Sequence, residues 1–320
     1  FLVMPNILIA GELHPSGLKI IKQNPKYSID YLKEVSNDNF LPYLQNADAL
    51  IIRTQTLKKN HIEKAKKLKI VSRHGVGYDN VDYQELKKRN IPLTIVGDVN
   101  STSVSEHTMM LIISVFKKII LADFSTRNSL WNYRNNYEPR ELYGKNLLII
   151  GFGRIGKKLG KLAKAFGMNI HVYDPYIENK FDEYEIRHFQ NLTTALCNAD
   201  CISLNLPKVD KPIITKENSQ YLKHGVVIIN TARGELIEEK VLKDGIQEGI
   251  ISGVGLDVFD SEPVEKNHFL FKYKQVIFTP HQAGLSQEAA QRMSIKSINN
   301  ILDYYDGSLD SSLIVNGVKI

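Results

Sequence analysis

Two groups of residues have the types and spacing that chemistry requires. The first is Gly151-Phe152-Gly153-Arg154-Ile155-Gly156, which follows the apolar run Leu147 to Ile150 and opens the helical pattern Lys157 to Phe166. A glycine at 151 permits a tight turn, one at 153 lets the backbone approach a bound group, and one at 156 lets helix and strand pack closely. Amides at the start of a helix lack intrahelical acceptors, so this loop, with Arg154 and Ile155 in its first turn, suits the pyrophosphate of a dinucleotide. The next apolar run, Asn169 to Tyr173, ends in Asp174. A carboxylate there accepts hydrogen bonds from ribose hydroxyls and repels a 2′-phosphate. The pattern therefore predicts NAD rather than NADP, with Arg154 the one residue able to soften the choice.

The second group is Arg233, Glu262 and His281, which follow the runs Val226 to Asn230, Ser252 to Val258 and Gln275 to Thr279. Open α/β sheets bind ligands beyond the carboxyl ends of their strands, which is where these three fall. A guanidinium can hold a carboxylate and polarise the neighbouring oxygen. An imidazole can exchange the proton of a hydroxyl, and a carboxylate can orient that imidazole and favour its charged form. Beside a nicotinamide, the set would interconvert a 2-hydroxy acid and its 2-keto partner. Singly, each has an ordinary reading: a surface ion pair for the arginine, a turn cap for the glutamate before Pro263, a structural role for the histidine. Their joint placement downstream of the glycine loop is what points to a site.

The elements that must carry these residues form two series of short apolar runs alternating with helical patterns. One comprises Asn6 to Ala10, Ala49 to Arg53, Lys69 to Ser72 and Ile91 to Val96; the other comprises Asn146 to Ile150, Asn169 to Tyr173, Cys201 to Leu206, Val226 to Asn230, Ser252 to Val258 and Gln275 to Thr279. Such alternation predicts α/β architecture with two doubly wound parallel sheets. A helical segment from Ser101 to Asn128, whose Ser/Thr-rich start and Glu106 supply capping chemistry, bridges the series. Another helix is expected from Ser286 to Tyr304, and the tail through Leu313 to Gly317 is expected to pack back on the first domain. The expected division is residues 1–101 with 288–320 as a substrate domain, and 102–287 as a dinucleotide domain, with no room for an appended regulatory domain.

The 320 residues, 43% hydrophobic and 24% charged, suit two globular domains. Lys117 and Lys118 break the apolar stretch from Met109 to Leu121, so no membrane span is expected. Phe1-Leu2-Val3 precedes Met4 without the features of a secretory signal, which points to a cytoplasmic protein. Cys197 and Cys201, spaced C-x3-C, match neither a redox motif nor a zinc site, so no metal is expected and both thiols read as buried. The net charge is +6, and the densest lysine cluster, Lys58 to Lys69, lacks interleaved aromatics. It reads as a solvated helix face, not a nucleic-acid surface, while the modest positive field favours anionic substrates and a dinucleotide.

Further motifs complete a pattern that spans essentially the whole chain: Arg73-His74-Gly75-Val76-Gly77-Tyr78-Asp79-Asn80-Val81-Asp82, Ile229-Asn230-Thr231-Ala232-Arg233-Gly234, Gly255-Leu256-Asp257-Val258-Phe259 and Thr279-Pro280-His281. With the glycine loop, they resemble the D-isomer-specific 2-hydroxyacid dehydrogenase family, in particular its phosphoglycerate dehydrogenase-like branch. The resemblance implies a Rossmann NAD-binding domain inserted in a flavodoxin-like substrate domain built from both termini. It implies catalytic roles for Arg233, Glu262 and His281, a grip on the substrate carboxylate by the Val76 and Gly77 amides, and Asp257 near the nicotinamide amide. Further cofactor contacts are implied at Pro207, Thr231, Ala232 and Gly284. Arg53 and Arg73 could bind a distal phosphate, with Arg134 as a candidate basic group lent by a partner, or could instead order their own loop. Two stretches depart from the family pattern: Gln282-Ala283-Gly284-Leu285-Ser286 after the histidine, and Lys208-Val209-Asp210-Lys211-Pro212 after Leu206-Pro207. Two alternatives stay open, a formate dehydrogenase, which pairs its histidine with an amide where this chain has Glu262, and a dinucleotide-sensing corepressor. Apolar residues from Met109 to Val115 and aromatics Trp131, Tyr133, Tyr137 and Tyr143 point to a homodimer.

Overall fold

The computed structural model describes residues 4–177 and 186–320, so Phe1 to Val3 lie outside the described residues. The chain divides into two compact units, residues 1–100 with 285–320, and residues 101–284.

The first unit contains β1 (Asn6–Ala10), α1 (Pro15–Lys22), β2 (Ser28–Leu32), α2 (Asn37–Leu44), β3 (Ala49–Ile52), α3 (Lys59–Lys64), β4 (Ile70–Arg73), α4 (Tyr83–Lys88) and β5 (Leu93–Thr94). Its sheet is parallel in the order β2-β1-β3-β4-β5, the flavodoxin-like winding. The inner strands β1 and β3 are almost continuously apolar because helices cover both faces of such a sheet. The edge strand β2 was not expected. Its sequence mixes Asp30, which accepts from Asn6 Nδ2 at 2.8 Å, with apolar residues, so it shows no apolar run. The expected strand Ile91 to Val96 shortens to β5, and the C-terminal segment takes up its flanking groups. Ile95 N donates to Leu313 O at 3.0 Å, Val315 N donates to Leu93 O at 2.9 Å, and Asn316 Oδ1 accepts from Leu93 N at 3.1 Å. The lysine cluster falls on and after α3, where Lys59 and Glu63 form an exposed pair at 3.9 Å.

The second unit contains α5 (Ser101–Lys117), α6 (Ile119–Arg127), β6 (Asn146–Ile150), α7 (Arg154–Ala165), β7 (Asn169–Tyr173), β8 (Arg187–His188), α8 (Leu192–Cys197), β9 (Cys201–Leu204), β10 (Val226–Asn230), α9 (Glu239–Gln247), β11 (Ile251–Leu256) and β12 (Val276–Phe278). The parallel sheet runs β12-β11-β10-β9-β6-β7-β8, a doubly wound order whose direction switches between β6 and β9. The long helix expected from Ser101 to Asn128 is two helices. Lys118 adopts φ 54 between them, a left-handed conformation that cannot continue an α-helix. At the start of α5 the Ser101 and Thr102 hydroxyls accept from Lys158 Nζ at 2.6 and 2.9 Å. Helix α7 buries Gly156, Leu159, Gly160 and Ala163, one face at helical spacing. Cys201 is buried, but Cys197, closing α8, is exposed, which corrects the expectation of two buried thiols.

At the amino edge of this sheet, Arg140 donates from Nη1 to Gly225 O at 2.9 Å and from Nη2 to Ser252 Oγ at 2.7 Å. Lys118 Nζ donates to Ser252 O at 3.2 Å. These cations satisfy main-chain and side-chain oxygens beside β10 and β11.

The chain returns to the first unit as α10 (Gln287–Tyr305), capped by Ser286 Oγ, which accepts from Ala289 N at 3.1 Å. It packs on the sheet through Ile298 and Ile301, both fully buried and each worth about 1.5–3 kcal/mol by transfer. Among the described residues, no helix is long and apolar enough to cross a membrane, and no group of His, Cys, Asp and Glu is arranged to hold a metal.

Candidate active site

Strand β6 runs into Gly151, whose φ of 89 and close approach to the Asn205 carbonyl exclude a side chain. Gly156 sits against the Gly151 carbonyl, again with no room for a Cβ, whereas a Cβ on Gly153 would meet nothing within 4 Å. Gly153 thus opens onto free space at the start of α7, where Arg154 is exposed and the first turn carries no acidic side chain to compete with an anion. Asp174, just beyond β7, accepts from Phe152 N through Oδ2 at 2.8 Å and from Tyr176 N through Oδ1 at 2.9 Å. It is pinned beside the loop, and each oxygen keeps a further lone pair for a hydroxyl. Pro207 emerges after β9, on the other side of the switch point. These residues fit a dinucleotide: an open, glycine-lined helix start with a fixed acceptor beside it.

The neighbouring strands β10, β11 and β12 end side by side and deliver Arg233, Glu262 and His281. His281 Nδ1 lies 2.6 Å from Glu262 Oε2, and Glu262 Oε1 accepts from Phe259 N at 3.0 Å. Burial alone would raise the Glu262 carboxyl. The hydrogen bond and charge of His281, the Phe259 amide and the Arg233 guanidinium outweigh it and hold the group below the usual carboxylate range. The His281 side chain is about half exposed at 52% and Glu262 less so at 35%, so the pair is open to a ligand.

Residues whose structural roles the sequence did not reveal build these positions. Asn230, buried at the end of β10, accepts from Ala232 N through Oδ1 at 3.1 Å and donates from Nδ2 to Arg233 O at 2.7 Å, shaping the Arg233 turn. A polar residue closing an otherwise apolar strand was the available signal. Gly234 lies directly against the Phe259–Asp260 backbone, so only glycine lets the arginine turn and the glutamate loop meet. Thr231 Oγ1 lies 2.8 Å from Thr108 Oγ1, and Thr108 itself donates to Val104 O at 2.7 Å. Ala232 is buried beside it. Asp257, expected near the nicotinamide amide, is fully buried. Its carboxylate accepts from Thr279 Oγ1 at 2.5 Å and from Gln282 N and Ala283 N, each at 2.9 Å, shortly before Gly284.

In the first unit, Arg53 follows β3 and Arg73 ends β4. Arg53 Nη1 donates to Glu12 O at 3.1 Å, and Arg73 Nη1 donates to His74 O at 2.6 Å and folds over Gly75. Both charges act on His74, whose burial and cationic neighbours lower it to about 3, so the ring is neutral. Beyond it, Val76 and Gly77 are half-buried, and among the described residues neither amide has a hydrogen-bond acceptor. Arg134 is exposed in the 3-10 turn Trp131–Asn136, 5.6 Å from the Trp131 ring centroid.

Comparison with known proteins gives a consistent answer. Residues 109–283 match the family model for the D-isomer specific 2-hydroxyacid dehydrogenase NAD binding domain. The chain is 38% identical over 293 residues to a D-3-phosphoglycerate dehydrogenase of Methanocaldococcus jannaschii, an alignment covering 90% of the chain but 55% of that relative. It thus spans about half the length of the curated relatives of that name. It is 32% identical over 322 residues to a glyoxylate reductase of Thermococcus litoralis, covering 97% of the chain and 96% of the relative. A crystal structure of the PH0520 protein from Pyrococcus horikoshii superimposes with a TM-score of 0.81 at 29% identity, covering 98% of this chain and 96% of that one. Motifs, geometry and full-length similarity together place the chain in the D-isomer specific 2-hydroxyacid dehydrogenase family, whose NAD-binding domain it contains.

Proposed function

We propose that this protein is an NAD-dependent oxidoreductase that interconverts a small D-2-hydroxy acid and its 2-keto acid. The observation that carries the proposal is the 2.6 Å His281–Glu262 pair, set beside Arg233 at three adjacent strand ends of the unit that carries the glycine loop. With Nδ1 engaged by Glu262, the Nε2 of His281 is left to exchange a proton with the substrate oxygen. Glu262 keeps the ring oriented, and Arg233 holds the substrate carboxylate and polarises the carbonyl. The glycine loop and Asp174 would hold NAD, which would supply the hydride acceptor or donor. Formate oxidation releases no hydroxyl proton, so a carboxylate at 262 favours the hydroxy acid.

The relatives' names indicate two substrate classes, 3-phosphoglycerate and glyoxylate. Arg53 and Arg73 are the residues that would separate them: turned to a phosphate they favour the first, and held on their own loops they favour the second. We further propose a homodimer, because Ile119, Ile120, Phe124, Leu130 and Trp131 expose an apolar face around α6.

Steady-state reduction of 2-keto acids by NADH tests the catalytic set. His281→Ala should lower kcat by about 10²-fold to 10⁴-fold with NADH binding nearly intact, and wild-type turnover would remove the histidine from the mechanism. Glu262→Gln keeps the size of the side chain but removes the carboxylate that orients the His281 ring, and should lower kcat with NADH binding nearly intact. Wild-type kcat in this variant contradicts the pairing.

For the cofactor, Asp174→Ala should weaken NADH use and admit NADPH, narrowing the ratio of their kcat/KM values. An unchanged ratio would show that Asp174 does not face the ribose.

Comparing kcat/KM for 3-phosphohydroxypyruvate, hydroxypyruvate, glyoxylate and pyruvate identifies the substrate class. If Arg73 binds a phosphate, Arg73→Ala should cost the phosphorylated substrate roughly 10-fold to 100-fold and the others little. Equal losses across all four exclude a phosphate site there.

Light scattering of the dilute native protein should give twice the monomer mass. A monomer mass would rule out the proposed interface.

A further inference from the structure

His107, on α5, has a nearly buried side chain that none of the roles above uses. Its Nε2 stands 2.9 Å from Thr279 Oγ1 and 3.6 Å from Asp257 Oδ1. Thr279 Oγ1 is itself 2.5 Å from Asp257 Oδ1, and both oxygens of Asp257 also accept backbone amides. A hydroxyl has one proton, and here it goes to the carboxylate. Thr279 Oγ1 can therefore only accept from His107, which places the imidazole proton on Nε2. Burial holds His107 below its ordinary range against the opposing pull of the Asp257 charge, in keeping with a neutral ring.

At the other end of this chain of hydrogen bonds is His281. Its amide donates to Asp257 O at 2.8 Å, and the amides of Gln282 and Ala283 are held by the Asp257 carboxylate. The backbone of His281 has φ 49, a left-handed conformation that a residue with a side chain keeps only when its surroundings over-determine it. The surroundings here are Asp257 and Thr279.

We infer that His107 is a positioning residue for His281: its neutral Nε2–H, relayed through Thr279 to Asp257, fixes the turn at residues 279–283 so that the imidazole meets Glu262. The inference rests on the proposed proton transfer by His281.

The test uses the full chain with His107→Leu, His107→Gln, Thr279→Val and the double variant His107→Leu with Thr279→Val, with His281→Ala as reference. Each is measured for 2-keto acid reduction and, by fluorescence titration, for NADH binding. His107→Leu should lower kcat by about 10-fold to 100-fold, with the NADH Kd changed less than about twofold. His107→Gln, whose amide nitrogen can reach the place of Nε2, should recover most of that loss. The double variant should be little worse than either single one, because both break one relay. If His107→Leu does not fold, Thr279→Val breaks the same relay from its other side and must show the same selective loss in kcat. Unchanged kcat in His107→Leu, equal losses in the leucine and glutamine variants, a loss confined to NADH affinity, or additive losses in the double variant would each overturn the inference. Should His281→Ala itself keep full turnover, the proposed function falls, whereas loss in His281→Ala with none in His107→Leu defeats the positioning role alone.

Discussion

A carboxylate with no access to water must find its donors within the protein, and Asp257 does so in a way that organises the whole site. Leaving such a group unpaired would cost several kcal/mol, so the segment after β12 is obliged to turn its hydroxyl and two amides toward it. That turn sets where His281 leaves the backbone. His281 then finds Glu262, and Glu262 is in turn fixed by the Phe259 amide and by the contact of Gly234 with the Phe259–Asp260 backbone. The three strand ends are thus coupled by buried polar geometry and by one spacing that only glycine allows.

The glycine loop follows a different constraint. Gly151 and Gly156 are required by packing within the unit, because each lies against a carbonyl, but Gly153 faces open space. The two tight positions make the turn rigid, and the open one leaves it accessible. Asp174 reinforces the arrangement by taking the Phe152 amide, so the acceptor beside the loop is held by the loop itself.

Much of this was legible in the sequence because the signals are local. Apolar runs such as Asn146 to Ile150 and Val226 to Asn230 coincide with β6 and β10, since strands covered on both faces are apolar through their interiors and carry a polar residue only at an end. Arg233, Glu262 and His281 stood out by following such runs. The edge strands β2 and β8 lack this signature, because an edge is only partly covered and tolerates Asp30 or Arg187. The break at Lys118 carries no glycine or proline to announce it. Least legible were His107 and the structural roles of the motif residues Thr279 and Asn230. Their importance lies in contacts across 172 positions of sequence in one case and in a bond to a main-chain carbonyl in another, neither of which leaves a periodic trace. Cys197 shows the reverse error: a small apolar residue reads as buried, although the last turn of a short helix leaves it exposed.

The two edges of the larger sheet do different work. At the amino edge, Arg140 and Lys118 are occupied with the oxygens of Gly225 and Ser252, and nothing described there joins the residues that would act on a ligand. At the carboxyl edge, the loops carry the candidate chemistry and draw their order from Asp257 and Asn230. The two ends are therefore mechanically separable: substitutions in the carboxyl-edge loops leave the bonds of Arg140 and Lys118 in place, and substitutions at the amino edge leave intact the order that Asp257 and Asn230 impose on the loops.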